Sequence, residues 1–157
     1  MSESRIHLNP SNPTIRRAND NDASAINNVM AVARDVALPY LPTLYSHEQV
    51  ESWIRDSVLR HCAVWVVAID GAVVGFMALD GEELHHLYIH PDYRSQGYGA
   101  QLLGMAKEQS PTLRLYTFQK NTRARRFYEF HGFKLVALGD GSGNEEHEPD
   151  VLYRYTK

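Results

Sequence analysis

The sequence has a single cysteine, Cys62, in 157 residues. That excludes an intramolecular disulfide framework and any zinc site built on several thiolates. It has no apolar run of about 18 residues, so no segment is expected to span a bilayer. The start, MSESRIHLNPSNP, lacks the apolar centre of a signal peptide, and with the lone thiol this points to a reducing, cytoplasmic setting. A basic surplus is also missing: 16 Lys and Arg face 19 Asp and Glu, a formal net charge of −3. A general nucleic-acid binder carries the opposite balance. Repeats, low-complexity tracts and linkers are absent, so 1–157 is expected to be one domain, with 1–12 as a loose tail. What is present is ordinary: 43% hydrophobic and 22% charged residues, enough to bury roughly 70% of the unfolded surface without staples. Eight histidines leave room for proton chemistry near neutrality.

The periodicities alternate between two kinds. Thr14–Arg17 reads as a short strand. Asp20 or Asp22 caps a helix whose apolar positions are Ile26, Val29, Met30, Ala33 and Val36 or Ala37. Pro39 and Pro42 end it, leaving Leu38–Leu44 as an apolar loop. Ser46 and Gln49 have capping-box spacing and begin a second helix through Val50, Trp53 and Ile54. Ala63–Ile69, Ala72–Leu79 and Glu83–Ile89 are rich in β-branched and aromatic residues and are separated by Asp70-Gly71 and Asp80-Gly81. Asp-Gly between apolar runs predicts tight hairpins, hence a three-strand meander. A helix over about Gly99–Gln109, a strand Leu113–Phe118, a helix over about Thr122–His131 and strands near Phe133–Leu138 and Val151–Tyr155 complete a mixed α+β sheet with helices on both sides.

Arg94-Ser95-Gln96-Gly97-Tyr98-Gly99-Ala100 places glycines between a strand and a helix start. Glycine lets the chain bend sharply and lets a ligand approach its backbone. The first amides of the following helix lack partners at the positive end of its dipole, a ready site for a pyrophosphate. The turn is not a P-loop, since no Gly-Lys-Ser/Thr follows, nor a dinucleotide fingerprint, since the third glycine falls at Gly104 and the position that needs it is Leu102.

YIHPDYRSQGYGAQLL resembles the acyl-CoA signature of the GNAT superfamily of N-acyltransferases, with Arg94, Gly97 and Gly99 at its marked positions. NTRARRFYEFHGF is similar to the second signature of that family at Asn121, Ala124, Phe127, Tyr128, Glu129, Gly132 and Phe133. The resemblance implies a largely antiparallel sheet of six to seven strands flanked by about four helices. It implies acetyl-CoA as co-substrate, a primary amine as acceptor, and direct transfer in a ternary complex. Amides from Gln96 to Ala100, including Gly97, Tyr98 and Gly99, are then expected to cradle the pyrophosphate, with Arg94 and Ser95 at its edge. The pantetheine arm is expected along Leu87-Tyr88-Ile89, where an amide from Tyr88 or a neighbour polarises the carbonyl. Asn121, Ala124 and Phe127 complete the donor side, although Asn121 also reads as a plain helix cap.

Tyr128 matches the thiolate-protonating tyrosine of that family, and a phenol of unperturbed pKa near 10 holds its proton at pH 7. By periodicity alone it belongs to a core stripe with Ala124, Phe127 and His131. Many relatives carry a carboxylate two residues before the Leu matching Leu87; this chain has His85 there. His85 is the expected base, with Glu83 as substitute through a water. Strand alternation puts Glu83, His85, Leu87 and Ile89 on one face unless a bulge intervenes. No metal is expected: His86 and His90 lie about 13 Å apart along a strand, too far to chelate one ion. Leu38–Tyr45 and the carboxylate-rich Asp140–Asp150 are candidate acceptor walls, the latter suited to a cationic amine. A small-molecule amine is the expected acceptor. Acylation of a protein N-terminus or lysine, or a non-catalytic acyl-CoA sensor, are the alternatives. An exposed sheet edge or the last strand would offer a homodimer, though no residue demands one.

Overall fold

Two tight turns build the centre of the sheet. The computed structural model describes residues 12–157; the expected loose tail, apart from Asn12, lies outside the described residues. Strands β2 (Ala63–Ile69), β3 (Ala72–Asp80) and β4 (Glu83–Ile89) form the antiparallel meander. At the first turn both Asp70 (φ 51°) and Gly71 (φ 87°) take positive φ, which only a short polar residue and glycine adopt readily. The second turn differs from the expected Asp-Gly centre. Asp80 still pairs with Glu83, and Gly81 (φ 60°) with Glu82 makes the bend, so glycine occupies its first central position.

Strand β1 (Pro13–Arg17) adds to the outer edge of β2. On the other side β5 (Thr112–Phe118), β7 (Asp150–Thr156) and β6 (Lys134–Gly139) extend the sheet to seven strands in the order β1-β2-β3-β4-β5-β7-β6. All neighbours are antiparallel except β4 and β5, which are parallel and paired only at Glu83↔Arg114. Arg114 N–H donates to the Glu82 carbonyl at 2.8 Å there. Beyond this contact the two strands diverge, and the sheet opens into a cleft.

Helices cover both faces. Helix α1 (Ala23–Ala37) and helix α2 (His47–Trp53, continued by a π-helical turn Ile54–Val58 and a last turn Leu59–His61) cover one face. Their Ile26, Val29, Met30, Ile54 and Val58 pack on Val64, Val66, Phe76 and Ala78. Val36, half exposed, lies outside this stripe. Asp22 occupies the cap position of α1 as expected but makes no side-chain cap bond there. The cap bond belongs to the preceding 3-10 turn Asp20–Asp22, where Asn19 accepts from Asn21 N–H at 2.9 Å, while the buried Asp22 carboxylate is held by Arg16 at 2.8 and 2.9 Å. The Ser46–Gln49 capping box of α2 is formed as expected, at 3.1 and 2.8 Å. Helices α3 (Tyr98–Gln109) and α4 (Thr122–Phe130) cover the opposite face, where Leu102, Leu103 and Ala106 pack on Met77, Leu113, Val151 and Tyr153. Each fully buried aliphatic side chain contributes about 1.5–3 kcal/mol to that packing.

One irregularity matters for function. Leu79 pairs with Leu84 and Ala78 with His86, so His85 is an extra residue in β4, a bulge. The expected shared face of Glu83, His85, Leu87 and Ile89 is therefore broken. Leu84, Leu87 and Ile89 belong to the α3–α4 face, and Tyr88 packs with the α1–α2 face. By the same alternation His86 turns to the α1–α2 side.

Candidate active site

The Gly-rich turn has the backbone that its sequence requires. Ser95 (φ 65°) and Gly97 (φ 89°) are both left-handed, and Gly97 caps α3 without a side chain. The first amides of α3 therefore face outwards at the positive end of the helix. Arg123, from α4, donates to Ser95 Oγ at 3.2 Å and adds a guanidinium beside the turn. A Cβ on Gly99 would stand 3.4 Å from Phe127 Cζ and 3.9 Å from Ile89 Cγ1. Gly99, Ile89 and Phe127 thus serve the close packing of α3 against its neighbours. Tyr98 is buried in the core, and only its backbone belongs to the turn.

The cleft between β4 and β5 holds a cavity of about 90 Å³. Leu87 and Tyr88 line it from β4, residues 115–118 from β5, and Asn121, Ala124 and Tyr128 from α4. Asn121 is also the cap of α4, accepting from Ala124 N–H at 3.1 Å. His90 N–H donates to Val74 O at 2.7 Å. Counting back by two, His86 and Tyr88 turn their amides towards β3, and Leu87 and Ile89 turn theirs into the cleft. The amide aimed into the cavity is therefore that of Leu87, the neighbour of the expected Tyr88. Tyr128 is only 8% exposed, with the Phe127 and Phe133 rings edge-on at 5.2 and 5.4 Å. Burial, reinforced by Tyr88, pushes its phenol pKa upwards, so the hydroxyl keeps its proton at any ordinary pH.

The two expected bases are placed differently from each other. Glu83 is paired with Arg114 Nε at 2.9 Å at the closed end of the cleft. His85, on the bulge, borders the cleft, but its side chain is 46% exposed and lies 4.0 Å from Asp80. The imidazole brought to the interior is His86. It packs against Trp53 (5.4 Å), Phe76 (6.2 Å) and Tyr88 (6.4 Å). Burial, then His85 and Arg34, lower its pKa to about 4, so it is neutral at pH 7. Two adjacent histidines on one strand give no sign of which faces inwards; only the bulge decides.

A second cavity, of about 850 Å³, opens on the α1–α2 face. The two segments singled out as acceptor walls meet across it. Tyr45 Oη donates to Glu145 at 2.7 Å, and Arg34 pairs with Glu146 at 3.2 Å. Nearby Lys120 lies 4.9 Å above the Tyr40 ring and 3.5 Å from Glu148. The wall carries three carboxylates, Asp35, Glu145 and Glu146, against one guanidinium, Arg34, with Tyr45 and Trp53 as exposed aromatics. His86 and Leu38 line both cavities and mark where they join. Cys62, whose thiol is pushed up by burial, lines neither. Among the described residues no group of three or more His, Cys, Asp or Glu could hold a metal ion, and no helix is long and apolar enough to cross a membrane.

Residues 60–135 match the family model of the acetyltransferase (GNAT) domain. The chain is 33% identical over 127 residues to the peptidyl-lysine N-acetyltransferase YjaB of Salmonella typhimurium, covering 80% of this chain and 86% of that one. It is 29% identical over 122 residues to the spermidine N(1)-acetyltransferase of Thermoplasma acidophilum, covering 63% and 75%. The apo-form solution structure of YjaB from Escherichia coli is similar with a TM-score of 0.77 and 26% identity, over 92% of this chain and 97% of that one.

Proposed function

Because the chain belongs to the GNAT family and is by that membership an acetyl-CoA-dependent N-acetyltransferase, we propose that it acetylates a small cationic primary amine. The observation that carries this is the chamber beside His86, walled by Asp35, Glu145 and Glu146 and bridged by the Tyr45–Glu145 and Arg34–Glu146 contacts. Its volume suits a small ligand, and its charge suits an ammonium.

Acetyl-CoA, when bound, supplies a thioester carbonyl and a thiolate leaving group. The amides at Gln96–Ala100, with Arg94 and Arg123 alongside, are suited to its diphosphate, and the β4–β5 cleft to its extended arm. The Leu87 amide donates where negative charge develops on the carbonyl oxygen. Tyr128 holds the proton that the departing sulfur needs. Neutral His86 accepts a hydrogen bond from the acceptor N–H at the junction of the cavities. The N–C bond forms and the C–S bond breaks; Tyr128 gives its proton to sulfur, and the proton lost by the attacking nitrogen returns through water to restore the phenol.

A second reading, acetylation of a peptidyl lysine, is favoured by the similarity to the peptidyl-lysine N-acetyltransferase of Salmonella. It requires the bridged loops to part, so that a lysine side chain on a larger body can reach His86. Free-thiol release from acetyl-CoA, measured across small amines, polyamines and lysine peptides, separates the two. Faster turnover of free amines supports the first reading. Turnover confined to peptides replaces it with the second, and no turnover with any amine overturns both.

A further inference from the structure

A tyrosine that protonates a leaving sulfur must present one hydroxyl at one point. Among the described residues no hydrogen bond holds the Tyr128 hydroxyl, so its aim is set by ring packing and by the helix that carries it. We propose that Tyr153 is a positioning residue for Tyr128: its buried hydroxyl clasps α4 through Arg125 and Glu129, one on each side of Tyr128 in the chain, and fixes where the Tyr128 phenol meets the cleft. This rests on the reading that Tyr128 gives its proton to sulfur.

Arg125, Tyr128 and Glu129 stand three and four positions apart on α4, and so share one face of the helix. That face rests on Tyr153 of β7, a fully buried core residue. Arg125 Nε donates to Tyr153 Oη at 3.1 Å, and the same hydroxyl donates to Glu129 Oε2 at 2.5 Å. Both the donor and the acceptor capacity of the phenol are thus used on one helix, and the bond to the carboxylate is of the short, charge-assisted kind. The Tyr153 ring lies 6.5 Å from that of Tyr128. Along the sheet Tyr153 stands opposite Leu115 of β5, and Leu115 lines the cleft. The clasp therefore holds the helix bearing Tyr128 against the strand beside the cleft wall. Arg125 extends it: its Nη1 donates to Gln119 O at 3.3 Å, and the Gln119 amide donates to Gly139 O and Asp150 O at 2.9 and 3.0 Å.

Arg125, Glu129 and Tyr153 line neither cavity, so their influence on the reaction runs through Tyr128. This gives Glu129, a residue of the second signature with no part in binding donor or acceptor, a task of its own. Without the Tyr153 hydroxyl, Arg125 and Glu129 are left to pair with each other along α4. The helix is then tied to itself instead of to β7, while the ring of residue 153 still fills the core.

The test is a double-mutant cycle read by single-turnover acetyl transfer to the amine turned over fastest, for the parent, Tyr153→Phe, Tyr128→Phe and the double variant. Tyr153→Phe should slow transfer about tenfold, the scale of a small misplacement of a reacting group, with acetyl-CoA affinity kept within about twofold. On the Tyr128→Phe background the same change should slow transfer less than about twofold, because no proton is left to aim. Glu129 is exposed, so its variants leave the core intact and repeat the test from the other end. Glu129→Ala should reproduce both results. Glu129→Gln, whose side-chain carbonyl still accepts from the phenol, should stay within about threefold of the parent. A merely structural role lowers the fraction of active protein equally on both backgrounds. Equal losses on the two backgrounds, no loss in Tyr153→Phe or Glu129→Ala, or a loss confined to acetyl-CoA affinity overturns the proposal. A Tyr128→Phe variant as fast as the parent overturns the underlying reading of Tyr128 instead.

Discussion

The two cavities are built in different ways. The cleft and turn on the donor side are made chiefly of backbone: left-handed Ser95 and Gly97, the unpaired stretch of β4 against β5, and the amides of Leu87 and of the start of α3. The chamber proposed for the acceptor is made of side chains from α1, α2, the segment between them and the β6–β7 loop, joined by contacts across 100 and 112 residues of sequence. Backbone sites depend on local geometry that few residues permit, and so they leave motifs. Side-chain chambers depend on which surfaces the fold brings together, and so they leave none.

Substitutions can break this division or sharpen it. The largest effect is expected from Tyr128→Phe, which removes the proton proposed for the leaving sulfur. Turnover should fall about 10²-fold or more with acetyl-CoA affinity kept, and by the same factor for every amine. A loss that varies strongly between acceptors would mean that Tyr128 belongs to the acceptor side as well. Next comes acid stability. His86 has a folded-state pKa of about 4 against 6.5 unfolded, so the unfolded chain binds a proton that the native one refuses. Its contribution, up to about 3 kcal/mol, is present above pH 6.5 and lost as pH falls towards 4. In denaturant titrations at pH 7 and 4.5, His86→Phe should lose less stability on acidification than the parent does; equal losses would place His86 in a wetter site.

Two smaller effects separate the sides directly. Gly97→Ala meets no neighbouring atom within 4 Å but keeps φ +89°, a strain of about 1–2 kcal/mol. Initial-rate kinetics should show the acetyl-CoA KM raised about tenfold, as that energy converts, with the acceptor KM unchanged. Tyr45→Phe removes an exposed hydrogen bond to Glu145 of about 0.5–1.5 kcal/mol. It should shift the acceptor KM by a few-fold and leave the acetyl-CoA KM alone. Cross-effects in either variant would show that the loops and the turn are coupled.

What could be read in advance follows the same line. The bounds of β2 and β4 were readable from β-branched runs closed by turn residues, and the Ser46–Gln49 box from its spacing. Tyr128 beside the cleft was legible through a motif. The side chain proposed to face the acceptor was not, because a bulge turns on how β3 and β4 settle against each other, and the doublet His85-His86 is silent on it. Glu83 was out of reach for a similar reason: its partner, Arg114, is 31 positions away and meets it only where two strands touch. Arg34 gave no signal at all, being one more polar residue at a helix end until Glu146 folds over it.

The bulge also changes how β4 can be edited. With His85 deleted, Leu84, His86 and Leu87 would follow one another in unbroken alternation, opposite Leu79, Ala78 and Met77, the partners they already have. The core would keep its inventory, and the strand would lose only the kink beside the cleft. Substitution tests what a side chain does; removing this one residue would test what the spacing does, at a place where chain length itself is a functional variable.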